Sequence, residues 1–160
     1  MEGFSLDFNE LLDYQQNRYP YLMIDGITEV VPGKRASGFK NITWNEWYMP
    51  CHFVGMPNMP GMLQIEAIAQ VFTVAITTLE GNKGKVTNFL SANNIKFKKR
   101  VEPGHRLVLI TEVISYRRGI ASGHGEGFVD DKMVCCADIV ITIPDVMDLY
   151  VPKIKKTDIA

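Results

Sequence analysis

Long apolar runs are missing from this sequence, and so is a strong charge of either sign. Its apolar stretches are broken by polar residues well short of the ~20 residues a membrane-spanning helix needs, and no basic-then-apolar leader occupies Met1 to Gln15. The reading is a cytoplasmic protein with no membrane partner. A net charge of -1 over 160 residues offers no global attraction to nucleic acid. Cysteine is scarce: Cys51, Cys135 and Cys136 are the whole set. The adjacent pair points to opposite faces of a strand, so no disulfide framework is implied and free thiols of a reducing compartment are expected. Histidine is equally rare, with three in the chain. Cys51 and His52 are neighbours, but neighbours seldom chelate one tetrahedral ion, and no further Cys or His stands at ligand spacing. No metal is expected. A cysteine nucleophile would need a positioned base and a lowered pKa, and adjacency to His52 is the only sign of either.

What the chain does have is apolar content, at 46% against 22% charged, enough to bury one core. A single domain over residues 1–160 is expected. The richest stretch is Met49 to Thr78. Pro50, Pro57 and Pro60 interrupt any ladder in its first part, and Gly55 and Gly61 permit backbone angles that other residues resist. Its second part reads as a helix starting near Pro60 or Gly61. Leu63, Ile65, Ala67, Ile68, Val71, Phe72, Val74, Ile76 and Leu79 make it apolar around most of its circumference, as a buried helix is. One ionisable side chain, Glu66, lies within it, and His52 lies in the loop before it. A histidine on a stiff loop and a carboxyl on a buried helix are candidates for a base and an acid. The plainer alternative is that Glu66 shares a polar edge of the helix with Gln70, Thr73 and Thr77, and that His52 is a surface group.

Around this stretch the elements follow from pattern. Leu6 to Gln15 reads as a short amphipathic helix begun near Ser5 and ended by Asn17 to Pro20. Leu22 to Val31 is rich in β-branched residues and turns at Pro32-Gly33 into Arg35 to Thr43, a hairpin. Glu80 to Gly84 closes the long helix. Five strands are then expected, at Val86 to Ala92, Ile95 to Val101, Leu107 to Tyr116, Ile120 to Val129 and Met133 to Ile143. Gly123, Gly125 and Gly127 weaken one of them and mark a bend or bulge. Val151 to Ala160, with Lys153, Lys155 and Lys156, reads as a frayed or weakly docked end. One long apolar helix and about six strands call for an antiparallel sheet curled around the helix, an α+β arrangement. The Pro/Gly loop then lies at the helix N-terminus, where free N–H groups favour developing negative charge. Glu66 sits about 7.5 Å of rise beyond Gly61.

The run His52-Phe53-x-Gly55-x-Pro57-x-x-Pro60-Gly61-x-Leu63-x-x-Glu66-Ala67-x-Ala69-Gln70 resembles the signature of the FabZ-type hydroxyacyl-acyl carrier protein dehydratases. Arg18-Tyr19-Pro20, Pro32-Gly33-Lys34, Lys40-Asn41, Phe97-Lys98, Pro103-Gly104 and Arg117-Arg118-Gly119 extend the resemblance over most of the chain. Cys51, Val54, Asn17, Asn93 and Arg100 depart from it, where that family usually has Gly, Pro, His, Asp and Pro. The resemblance implies the hotdog fold and the dehydration of a 3-hydroxyacyl thioester to the trans-2-enoyl thioester, in fatty acid biosynthesis or a related acyl route, with no cofactor. By matching positions, His52 would take the C2 proton, Glu66 would protonate the leaving hydroxyl and the Gly61 N–H would bind the thioester carbonyl. The Asn58 carbonyl would hold the histidine ring, and Phe53 would lie beside the substrate. Lys96, Lys98, Lys99 and Arg100 form a basic cluster, either a solvated strand edge or, as the resemblance implies, the docking face for an acidic acyl carrier protein. The resemblance also implies a homodimer, or three such dimers together, with the base from one subunit and the acid from the other. A hotdog thioesterase, which needs a placed water instead of a C2 base, and a non-catalytic acyl-binding module are the alternative readings.

Overall fold

A computed structural model describes residues 2–151. The elements are β1 (Phe4–Leu6), α1 (Phe8–Tyr14), β2 (Gly26–Val31), β3 (Arg35–Asn41), α2 (Gly61–Thr77), β4 (Asn88–Phe97), β5 (Arg106–Arg117), β6 (Ile120–Val129), β7 (Lys132–Thr142) and α3 (Pro144–Met147). Seven strands form one antiparallel sheet in the order β1-β2-β3-β5-β6-β7-β4. The sheet packs around α2, which touches β2, β3, β5, β6 and β7. This is the α+β hotdog arrangement that the sequence resemblance implied.

α2 is enclosed because it has almost no polar face to offer water. From Ala67 to Thr77 every residue is buried, with Ile68, Val71, Phe72 and Val74 fully so. Each large side chain of this kind stabilises the fold by about 1.5–3 kcal/mol. The stripe of Gln70, Thr73 and Thr77 is buried as well, so the polar edge read from the sequence is not a solvent face. Gln70 is satisfied internally: its Oε1 accepts the Met23 N–H at 2.8 Å and its Nε2 donates to the Tyr21 carbonyl at 2.8 Å.

Gly123 and Gly125 do something other than bend β6. A Cβ on Gly123 would run into the Glu112 carbonyl and the Phe72 ring, and one on Gly125 would run into Ile68. The small residues let the strand lie directly on the helix. Gly123→Ala is therefore expected to lower the unfolding free energy by about 3 kcal/mol, the upper end for overpacking, because backbone is one of the obstacles. Denaturant unfolding at unchanged m-value checks this, and a loss below about 0.5 kcal/mol would show the helix free to shift.

The three largest differences from the sequence reading lie in α1, β2 and β4. The first helix starts at Phe8, later than expected, because Leu6 belongs to β1 and Asp7 forms a reciprocal capping box with Glu10 at 2.9 Å in both directions. The hairpin strand starts at Gly26 instead of Leu22, since Met23 spends its N–H on Gln70. The two strands expected at 86–92 and 95–101 are one, β4, carrying a bulge between Asn93 and Lys96. Asn94 takes a φ of 52° there, and its Nδ2 donates to Asp138 at 2.6 Å, so the asparagine pair kinks the strand without ending it. The strongly basic end of the tail lies outside the described residues. Among those described, no helix is long and apolar enough to cross a membrane.

Candidate active site

The Pro/Gly loop is irregular yet closely tied. The Met59 N–H donates to the Val101 carbonyl at 2.8 Å, and the Met59 carbonyl accepts from Gln64 Nε2 at 3.0 Å. Gln64 lies on the first turns of α2 and is buried, so the helix itself grips the loop that precedes it. The Asn58 N–H in turn donates to the His52 carbonyl at 2.9 Å. With the peptides on either side held, the Asn58 carbonyl has one direction to face. It lies 3.1 Å from His52 Nδ1.

That contact decides the tautomer. A carbonyl oxygen only accepts, so Nδ1 must carry the hydrogen, and Nε2 keeps its lone pair. The Phe53 ring stacks on the imidazole at 4.0 Å between centroids and 30° between planes, limiting its rotation from the other side. Phe53 is exposed. In the neutral ring Nε2 is thereby the nitrogen left with a lone pair.

Gly61 is the first residue of α2, after Pro60 as N-cap. Its N–H has no intrahelical acceptor and sits at the positive end of the helix dipole. The Phe97 ring lies against it, with ring atoms 2.8–3.1 Å from where a Cβ would be. A Cβ here would have to push the tip of that ring aside. Gly61, Met62, Phe97, Asn58, Lys98, Lys99 and Arg100 line a cavity of about 600 Å³. Three of the four basic residues thus gather at one opening, and Lys96 stands apart, on β4 opposite Cys136.

Glu66 lies on another side of α2. Its Oε1 accepts from Gln70 Nε2 at 2.8 Å and from Asn17 Nδ2 at 3.3 Å. Burial raises its pKa above the ordinary glutamate value, against the opposing pull of Gln70 and then the Tyr21 hydroxyl. A carboxyl so placed holds its proton to higher pH than a free one, as an acid catalyst requires. It faces a cavity of about 240 Å³ walled by Tyr21, Met62, Leu63, Ile65 and Phe89. On its other flank, Gln15, Asn17, Gln70, Thr73 and Phe89 line a smaller one. Neither cavity includes His52. Met62 borders both the Gly61 cavity and the Glu66 cavity.

His52, Phe53, Asn58, Gly61 and Glu66 are all legible in the sequence, because they share one segment of fixed spacing. Asn17, Tyr21 and Gln64 are not. Asn17 and Tyr21 reach Glu66 from a distant part of the chain through the fold; Asn17 stands out in the sequence only as a departure from the family pattern, and nothing local marks Tyr21. Gln64 carries a signal, an amide in an otherwise apolar turn.

A family described as the FabA-like domain matches residues 16–138. The 3-hydroxyacyl-[acyl-carrier-protein] dehydratase FabZ of Bacillus subtilis (strain 168) is 42% identical over 138 residues, covering 86% of this chain and 98% of that protein. FabZ of Bacillus licheniformis is 41% identical, with 86% and 96% covered, and FabZ of Clostridioides difficile (strain 630) is 38% identical, with 86% and 97% covered. Among solved structures, the dehydratase heterocomplex ApeI:P from Xenorhabdus doucetiae superposes with a TM-score of 0.73 at 12% identity, covering 89% of this chain and 97% of that one. A hypothetical thioesterase with coenzyme A from Streptococcus pneumoniae TIGR4 gives a TM-score of 0.55 at 13% identity, with 73% and 83% covered. At such identities the likeness concerns the fold alone.

Proposed function

The chain belongs to the FabA-like family, among its FabZ-type 3-hydroxyacyl-[acyl-carrier-protein] dehydratases, and from that membership we propose how its own residues share the reaction between two subunits. The enzyme eliminates water from a 3-hydroxyacyl thioester on acyl carrier protein, giving the trans-2-enoyl thioester, a step of fatty acid biosynthesis or a related acyl route. His52 Nε2 removes a proton from C2. The Gly61 N–H binds the thioester oxygen as it gains enolate character, which makes that weakly acidic proton removable near neutral pH. The C2–H electron pair becomes the C2–C3 double bond, the C3–O bond breaks, and Glu66 supplies the proton with which the hydroxyl leaves as water. His52 is left protonated and Glu66 ionised, and exchange with solvent resets both.

The observation that carries this assignment is the 3.1 Å contact from His52 Nδ1 to the Asn58 carbonyl, which leaves Nε2 free as the base. Thioester hydrolysis would need a positioned water nucleophile, and an acyl-binding module has no use for a half-buried carboxyl with a raised pKa beside a cavity.

Two features support a site shared across a homodimer. Glu66 lines two cavities and His52 of the same chain lines neither, and β4 is an edge strand with Phe89, Leu90 and Phe97 exposed along it. Apolar edge strands of this kind invite pairing with a second copy. His52 of one subunit then works with Glu66 of the other. Lys98, Lys99 and Arg100 at the cavity mouth receive the acidic carrier protein, and raising salt should weaken that approach.

Subunit mixing tests the shared site. His52→Ala and Glu66→Ala chains, each inactive, are unfolded and refolded together. Random pairing makes about half the dimers mixed, each with one intact site, so activity should return to about a quarter of wild type by two-fold symmetry. No recovery despite demonstrated exchange would place both groups in one chain.

A further inference from the structure

The proton on Glu66 has one oxygen available to it. Oε1 already accepts two amide N–H bonds, from Gln70 and Asn17. An oxygen receiving two donors has no place for a hydrogen of its own, so in the acid form the O–H sits on Oε2. The Tyr21 hydroxyl is the further polar group brought to this carboxyl. Tyr21 and Glu66 are also the polar side chains of the 240 Å³ cavity, whose other walls, Met62, Leu63, Ile65 and Phe89, are apolar. Their relative position is held by a single side chain, because Gln70 Nε2 donates both to the Tyr21 carbonyl and to Glu66 Oε1, each at 2.8 Å. Gln70 is itself 2% exposed and fixed by the Met23 N–H. Tyr21 is thus tethered by its main chain beside the acid, and its side chain lines the same cavity.

We propose that Tyr21 is a positioning residue for the acid step: its hydroxyl directs the Oε2 proton into the cavity, then donates to Oε2 once that proton has left with the departing 3-hydroxyl. The inference rests on Glu66 being the acid of the dehydration. Charge balance assigns the moment of action. Before transfer the carboxyl is neutral and gains little from a phenol. Afterwards it is an anion in an apolar pocket, where a hydrogen bond to charge is worth most. The mutual effects agree: the Glu66 charge is the foremost cause raising the Tyr21 pKa, which keeps the phenol protonated and able to donate, and the phenol opposes the rise that burial imposes on Glu66.

Tyr21→Phe removes only the oxygen. With 3-hydroxyacyl carrier-protein thioester as substrate, kcat is expected to fall about tenfold to a hundredfold, the worth of one hydrogen bond to a charged group, with KM within about twofold of wild type by the same argument, since bonds made only in the transition state leave KM alone. The basic limb of the kcat profile should also move to higher pH, because the lost donor no longer favours the ionised carboxyl. A ring acting only as a cavity wall would leave that limb in place. A fall in kcat with an unmoved limb therefore overturns the inference, as does a variant that behaves like wild type. If the wild-type protein itself forms no enoyl product, the reading of the reaction fails and takes the inference with it. Where wild type dehydrates the substrate and Glu66→Gln does not, a silent Tyr21→Phe counts against Tyr21 alone and leaves the reaction standing.

Discussion

His52→Ala is expected to fold normally and to lose dehydration by about 10³-fold or more, the upper half of the range for a general base. The loss should be nearly pure chemistry. The imidazole makes one hydrogen bond, to the Asn58 carbonyl, and one stacking contact, to Phe53. Neither belongs to the core, and the loop keeps its backbone ties from Met59 to Val101 and Gln64. Removing the ring should therefore cost about 1 kcal/mol of stability. Enoyl formation followed by absorbance, beside a melting curve, separates the two effects. Turnover within about tenfold of wild type would take His52 out of the mechanism.

Glu66→Gln should be as damaging to turnover, by about 10²–10⁴-fold, yet more stable than wild type at neutral pH. The amide keeps an oxygen for the Gln70 and Asn17 donors, but it has no proton to give to a leaving hydroxyl. The stability gain follows from linkage. Burial raises the Glu66 pKa in the folded protein, so the unfolded chain ionises more readily and folding favours the protonated form. The wild type's advantage is fully present below the ordinary glutamate pKa and is lost as pH rises through the folded value. The neutral amide has no such dependence. Unfolding of the two proteins from about pH 4 to about pH 9 should show the difference growing in favour of glutamine as pH rises. A difference constant with pH would mean that folding does not raise the Glu66 pKa, and the support which that shift gives its role as acid would fall.

The central segment is readable in the chain because its chemistry is local. Spacing along one helix and one loop is preserved on folding, so the interval from His52 to Glu66, the helix start at Gly61 and the apolar circumference of α2 survive unchanged into the structure. Strand β4 reads as two from the sequence because Asn93-Asn94 looks like a turn, and only the pairing with β7 and the Asn94–Asp138 bond hold it together. The glycines of β6 suggest a bend, since a sequence does not record which neighbour a missing Cβ makes room for.

By itself the sequence determined which helix is buried, which loop is stiff, and which histidine and which carboxyl stand on them, since all of these depend on residues within one helix or one loop of each other. Only the tertiary structure decided the state of those groups. The hydrogen on His52 Nδ1 is set by a carbonyl whose direction depends on Val101, far along the chain, and the raised pKa of Glu66 is set by its burial against the opposing bonds of Gln70 and of Tyr21, the latter arriving from near the other end. Composition and periodicity report how residues partition between water and core. A proton's position depends on distances of about 3 Å between particular atoms, and those exist only after the sheet has closed around the helix.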